Sequence, residues 1–272
     1  MNNLFQRMQR RFSYPVILIR QLVITDFKLR YQGSVLGYAW SLLRPLLLFL
    51  ILYIVFVKFL KIGTSVPHFP IYLLLGIVIW NFFYEMTVQN LGSIMARGDL
   101  IRKVRIPRWT IIIATSISAL INLCLNLLVV ALFMLTNHVI LLNTIVYLPL
   151  VILEVYILAL GLSFFLSAAF VKYRDVSYIW EVIMQAGFYL TPILYPLSRI
   201  TDLTFQKILM LNPMAQAIQD ARYATITHQS ATTATVFGGG WYKLIPFITV
   251  IVVLFAGIWF FKSQSKFFAE NI

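Results

Sequence analysis

Charge is scarce in this chain. Of its 272 residues only 11% are Asp, Glu, Lys or Arg, and the 9 acidic residues are outnumbered by 22 basic ones. Soluble domains carry about 25% charged and about 45–50% apolar residues, whereas the apolar share here is 61%. A soluble core of this length cannot absorb that excess, so the chain reads as a membrane protein. Nucleic-acid binding is excluded too, because the net charge of +13 has no solvated basic surface to sit on. The single cysteine, Cys124, lies in an apolar run and rules out an internal disulfide or a cysteine metal cluster. The three histidines, His68, His138 and His228, are scattered, with no H-E-x-x-H or similar ligand spacing. No G-x-x-x-x-G-K-[ST] occurs to cradle nucleotide phosphates. A D-x-D pair, which a membrane transferase acting on lipid-linked sugars would need, is also missing. No metal site and no catalytic site are expected.

What is present is apolar length. A helix crosses about 30 Å of hydrocarbon with about 20 apolar residues, and six segments approach that: 40–60, 71–94, 109–135, 145–170, 177–195 and 244–261. The expected fold is therefore all-α, a single six-helix transmembrane domain over 1–272. It divides into a cytoplasmic interfacial segment (1–39), a membrane region (40–261) and a cytoplasmic tail (262–272). No cleavable signal peptide is visible in residues 1–35. Lys and Arg set the orientation. Arg7, Arg10, Arg11, Arg20, Lys28, Arg30 and Arg44 fall on one side, with Arg97–Arg108, Lys172, Arg174, Lys262 and Lys266. Only Lys58, Lys61, Arg199, Lys207, Arg222 and Lys243 fall on the other. Both termini are thus expected in the cytoplasm, and the positive charge is topology.

The segments between spans are unequal. Val16, Ile19, Val23, Phe27 and Tyr31 recur at helical spacing, with Gln21, Thr25, Lys28 and Gln32 on another face and Pro15 suited to the first turn. Such a basic amphipathic helix either lies in the headgroup plane or simply anchors the topology. The loop M-A-R-G-D-L-I-R-K-V-R-I-P-R (95–108) has room for one or two helical turns over 99–104 before Pro107. It is either a solvated loop enforcing orientation or a short docking helix for a cytoplasmic partner. The largest external piece, 196–243, opens after T-P-I-L-Y-P. It carries a moderately apolar stretch, 205–224, broken at Asn212-Pro213, and reads as two short helices dipping back toward the membrane. No internal repeat supports an inverted-repeat carrier.

Polar residues inside spans are functional candidates. Asn81, Glu85 and Gln89 recur at i+4 beside Trp80, Phe83, Tyr84 and Thr87. Thr115, Ser118, Asn122 and Asn126 share a face, as do Tyr178, Glu181, Gln185 and Tyr189. The first span presents Phe49, Tyr53 and Phe56. Such stripes either glue helices together or line a path, and rings beside amides and hydroxyls suit the C–H faces and hydroxyl edges of sugars. Glu154 stands alone with no evident partner. Gly33-x-x-x-Gly37 and Ala159-x-x-x-Ser163-x-x-x-Ser167 offer close packing.

The stretch K-L-R-Y-Q-G-S-V-L-G-Y-A-W-S-L-L-R-P-L-L (28–47) resembles the N-terminal signature of ABC-2-type polysaccharide export permeases, the membrane subunits of exporters for O-antigen, capsule and teichoic acid. The likeness continues in R-K-V-R-I-P-R (102–108), K-Y-R-D-V (172–176), P-I-L-Y-P (192–196) and L-N-P-M (211–214). The resemblance implies a half-transporter that pairs with itself and with two copies of a separate ABC ATPase, which holds the ATP and Mg that this chain lacks. It implies a bacterial plasma-membrane location and a lipid-linked glycan, or a teichoic acid, as cargo. Loop 97–108 then looks like a coupling helix, with Arg97, Asp99, Arg102, Lys103, Arg105 and Arg108 facing the ATPase, and 196–243 looks like a pair of external gate helices. Arg7, Arg10, Arg11, Arg30 and Arg44 are candidates for an anionic lipid headgroup. Phe49, Tyr53, Phe56, Trp80, Asn81, Phe83, Tyr84, Glu85, Gln185 and Tyr189 are candidates for a channel lining at a homodimer interface.

Overall fold

The computed structural model describes residues 2–31, 37, 39–61, 66–104, 106–139, 142–238 and 240–268, with side chains from residue 15 onward except those of residues 30 and 31. The side chains of Arg7, Arg10, Arg11 and Arg30, all of Arg105, and Gly33 of the first glycine pair lie outside the described residues. Among the described residues every regular element is helical.

Helix α1 (Asn2–Tyr31) is longer than the sequence pattern predicts, so Pro15 falls inside it rather than in its first turn. Its packed face is also rotated. Leu18, Ile19, Leu22 and Val23 join a core with Ile94, Ile111 and Phe164, while Val16 is 65% exposed. α2 (Ala39–Leu52) continues as a π-helical stretch, Tyr53–Phe59, and buries little beyond Pro45 and Phe49. α3 (Phe69–Ala96) is the centre of the molecule, enclosed over most of its length, with Leu73, Ile77 and Met86 fully buried. α4 (Gly98–Lys103) is the short helix read from the 99–104 stretch. α5 (Trp109–Thr136) and α6 (Leu148–Lys172) flank α3. α7 (Val176–Leu190) follows, then α8 (Leu203–Met210), α9 (Pro213–Thr225), α10 (Thr233–Phe237) and α11 (Ile245–Gln264).

Among the described residues five stretches are long and apolar enough to span a bilayer: Ala39–Phe59, Phe69–Ala96, Trp109–Thr136, Asn143–Lys172 and Trp241–Phe267. Leu128, Leu132, Val252 and Phe255 expose most of their surface, the pattern of side chains that face lipid. The sixth expected span, 177–195, is a helix only to Leu190. Its 15 residues reach about 22 Å at 1.5 Å each, short of the hydrocarbon thickness. It stops where Thr191-Pro192 turns the chain inward, since the residue before a proline disfavours helical backbone.

The break predicted at Asn212-Pro213 is present. Asn212 caps α9 by accepting from the Met214 amide at 3.0 Å, and Pro213 takes the first helical position. The two helices it separates differ in setting. α8 is largely exposed, whereas α9 is buried against α6, α3 and α11. Ala215, Ala217, Ala221 and Ala224 allow that close approach.

Close packing elsewhere uses small residues as well. Ala159, Ser163 and Ser167 are fully enclosed or nearly so, and Asn90 of α3 donates to the Ser163 hydroxyl at 3.2 Å. A second contact, absent from the sequence reading, joins α6 to α11. A Cβ at Gly161 would lie 2.6 Å from Leu254 Cα, and one at Gly257 would strike the Gly161 carbonyl oxygen. Gly257→Ala is therefore expected to force the two helices apart and lower stability by about 1–3 kcal/mol, seen as a lower Tm in detergent. Gly92→Ala, with open space at its Cβ, should leave Tm unchanged. Equal Tm values for both variants would contradict the tight crossing.

Candidate functional site

The polar stripes predicted on separate helices meet. Glu85 of α3 accepts from Asn122 of α5 at 2.6 Å and from Gln89 one turn along its own helix at 2.9 Å. Asn126 reaches the Ser41 carbonyl of α2 at 3.4 Å and the Asn122 carbonyl at 2.8 Å. Thr115 and Ser118 bond back to the carbonyls of Ile111 and Ala114 instead, so that half of the α5 stripe satisfies itself within the helix. On α7, Trp180 donates to Thr87 of α3 at 3.1 Å. Two turns further on, Gly187 lets the Trp80 ring approach, since a Cβ there would lie 2.9 Å from it.

These contacts frame a cleft of about 940 Å³ between α2, α3, α5 and α7. Trp80, Asn81, Tyr84, Glu85, Gln185 and Tyr189 lie on its wall, and Arg44 stands with Trp40 and Ser41 at one end. Gln89, Asn122, Asn126 and Phe188 also line it. Phe49, Tyr53, Phe56 and Phe83 do not. Phe49 is 8% exposed and packs edge-on against Phe133, ring centres 5.9 Å apart. Phe83 is buried beneath Trp80, and Tyr53 and Phe56 pack on the same core. A periodic face says which residues align, not which neighbouring helix covers them. The cleft mixes rings, neutral amides and hydroxyls with one carboxylate and one guanidinium. That surface can stack on flat apolar faces and bond hydroxyl edges at once.

The coupling candidates separate by burial. Asp99, Arg102 and Lys103 are exposed on α4, while Leu100 and Ile101 face the core shared with α1 and α5. Arg97, between α3 and α4, is paired with Asp26 of α1. Arg108 lies at the start of α5, its guanidinium 5.7 Å from the Phe268 ring centre.

A second polar assembly was not visible in the sequence. Arg222, placed by the charge count in an external loop, is fully buried. Its Nε donates to the Tyr72 carbonyl at 3.0 Å, Nη1 to Pro192 at 2.6 Å and Nη2 to Ile193 at 2.8 Å. The guanidinium lies 3.6 Å from the Tyr72 ring centre, and Gly76 leaves it room. Burial pulls its pKa below the usual arginine value, with Tyr72 working against that shift. Tyr72 in turn donates to Gln219 at 3.1 Å. Glu154 is not alone. Gln216 donates to it at 3.2 Å and to Asp220 at 2.6 Å. Burial pushes the Asp220 carboxyl up to about 6, with the Gln216 bond opposing. The available signal was the run M-A-Q-A-I-Q-D-A-R-Y-A, whose alanines mark a helix made to be enclosed.

Residues 17–226 match the family described as ABC-2 type transporter. The chain is similar to the O-antigen export system permease protein RfbA of Myxococcus xanthus, 30% identical over 96% of this chain and 97% of the relative. A protein of the same description from Klebsiella pneumoniae is 26% identical over 97% and 98%. The polysialic acid transport protein KpsM of Escherichia coli is 21% identical over 79% and 83%.

Two expectations follow from the buried assembly. Arg222→Leu leaves the Pro192 and Ile193 carbonyls unsatisfied at about 1–3 kcal/mol each, so the variant should be recovered poorly and unfold well below the parent in detergent. Arg222→Lys should fall between them, because an ammonium supplies donors but not the planar fork. Wild-type Tm for both variants would contradict the clamp. For Asp220, a folded-state value raised above the ordinary 3.8 contributes stability that is full below that value and lost as pH rises through about 6. Hydrogen exchange in α9 should therefore quicken from pH 5 to pH 8, after correction for intrinsic rates, and Asp220→Asn should lessen that trend.

Proposed function

The chain belongs to the ABC-2 type transporter family, and from that premise we propose that it is the permease subunit of an ATP-driven exporter moving lipid-linked polysaccharide out of the cytoplasm. The observation that carries this reading is the near full-length match to a permease named for O-antigen export. The cleft supports it, because aromatic rings beside amides suit a neutral or weakly charged glycan. A polyol-phosphate polymer would favour a basic wall, and Arg44 is the single cation that lines the cleft among the described residues.

In this reading the protein sits in the bacterial plasma membrane with both termini inside. α7, extended by the turn after Leu190, serves as the sixth membrane segment, and α8 and α9 close the external side. Two copies face one another through α2 and α7, whose Ile51, Ile179, Val182 and Ile183 are exposed apolar side chains. The cleft then opens onto the copy opposite and forms a path between them. Arg44, with the basic residues of α1, receives the anionic headgroup of the lipid-linked substrate.

ATP and Mg belong to a separate ABC ATPase, which docks on the exposed residues of α4. That helix joins α3 to α5, the two helices tied by the bond from Asn122 to Glu85. Force on α4 thus moves one wall of the cleft as a unit against the other, formed by α2 and α7. The pairing of Arg97 with Asp26 carries the same displacement to α1.

Charge reversal of Arg102 and Lys103 to Glu, on an exposed face, should leave folding intact while abolishing co-purification of the ATPase and surface display of polymer. Native mass spectrometry of the gently purified complex should give two copies of this chain with two of the ATPase. A chain that never associates with an ATPase, or variants that retain both association and export, would overturn the assignment.

A further inference from the structure

A second cavity, of about 630 Å³, opens where α4 and α5 meet the far ends of α6 and α11. Its upper rim carries Arg108 and Lys262, and its walls are Val104, Trp109, Ile258 and Phe261. No acidic residue lines it among the described residues. Trp109 begins one span and Lys262 closes another, so the rim sits at headgroup level and the walls descend into hydrocarbon. Trp109 is 44% exposed, the setting of an interfacial anchor.

We propose that this cavity is a binding site for one anionic glycerophospholipid of the cytoplasmic leaflet. Arg108 and Lys262 hold the phosphate-bearing headgroup, and an acyl chain lies against Trp109, Ile258 and Phe261. Two cations with no facing carboxylate among the described residues, above an apolar slot, match a molecule with one charged end and one greasy end. Neither a soluble anion nor a neutral lipid uses both halves. Val104 belongs to the connection between α4 and α5, so the bound lipid braces the short helix where it joins the next span. The site is distinct from the cleft, which lies on the α2 and α7 side, and lipid binding does not depend on the transport reading.

The test reconstitutes the full chain, with any partner that co-purifies, in nanodiscs of phosphatidylethanolamine containing about one-tenth phosphatidylglycerol. Retained lipid is then counted by native mass spectrometry. One phosphatidylglycerol per copy should survive mild activation in preference to the more abundant phosphatidylethanolamine. Arg108→Gln with Lys262→Gln should cut that retention about thirtyfold, the factor expected when two cations near an anionic surface are removed. Raised salt should weaken it in the parent. Ile258→Trp, which keeps both cations and fills the slot, should abolish retention without altering Arg108 or Lys262. Equal retention of the two lipids would overturn the site, as would undiminished retention in both variants. So would a parent chain that holds no lipid, which would mean that another segment covers the cavity.

Discussion

A guanidinium can be enclosed without a counter-anion only if its N–H groups find acceptors, and Arg222 finds them in the carbonyls of Tyr72, Pro192 and Ile193. Those three acceptors belong to two different places. Tyr72 is near the start of α3, the most enclosed of the spans, and Pro192 and Ile193 lie just past the end of α7. A proline at 192 already discourages further helix, and the turn it creates points carbonyls inward that no helical amide can satisfy. Arg222 satisfies them and fastens α9 across both. With α7 ended and pinned there, its last turn holds Gly187 and Phe188 against Trp80. One side of the cleft is thus fixed by a side chain that does not touch it.

The other side depends on Glu85. A carboxylate within a span is costly unless hydrogen-bonded, and Asn122 and Gln89 both donate to it. The bond from Asn122 joins α3 to α5, while α2 and α7 bury far fewer of their side chains. The protein therefore divides mechanically into a packed body of α3, α5, α6, α9 and α11 and a more open pair, α2 and α7, with the cleft along the seam. The short helix α4 sits at the end of the packed body, where an outside force would act on α3 and α5 together. Small residues sustain that body, through Gly161 against Gly257 and the Ala159–Ser163–Ser167 row.

Much of this organisation is legible in the amino acids. Apolar length alone places Ala39–Phe59 and Trp109–Thr136 within a residue or so of their bounds, because a span needs nothing more than contiguous hydrophobicity. α4 is legible from its acidic start and the proline after it. Asn81, Glu85 and Gln185 share a cleft because helical periodicity aligns polar residues reliably. Phe49 and Phe83 show the limit of that rule, since both belong to polar or aromatic faces yet lie under neighbouring helices that periodicity does not identify. α9 shows a different limit. Gln, Asp and Arg in one short segment suggest water, and only the tertiary partners Tyr72, Glu154, Pro192 and Ile193, 29 to 150 positions away, make their burial favourable. The meeting of Gly161 and Gly257 is likewise a property of two helices and belongs to neither sequence window.

The claim that the cleft carries the polymer is open to direct capture. A photo-crosslinking amino acid placed at Gln185, exposed on the cleft wall, and separately at Leu132, 60% exposed on the opposite, lipid-facing side of α5, would be activated during export in cells. Glycan is expected on the chain from position 185 and not from position 132, and the signal should vanish when the ATPase is inactivated. Glycan captured equally from both positions, or from neither while export proceeds, would contradict the assignment of the cleft as its path.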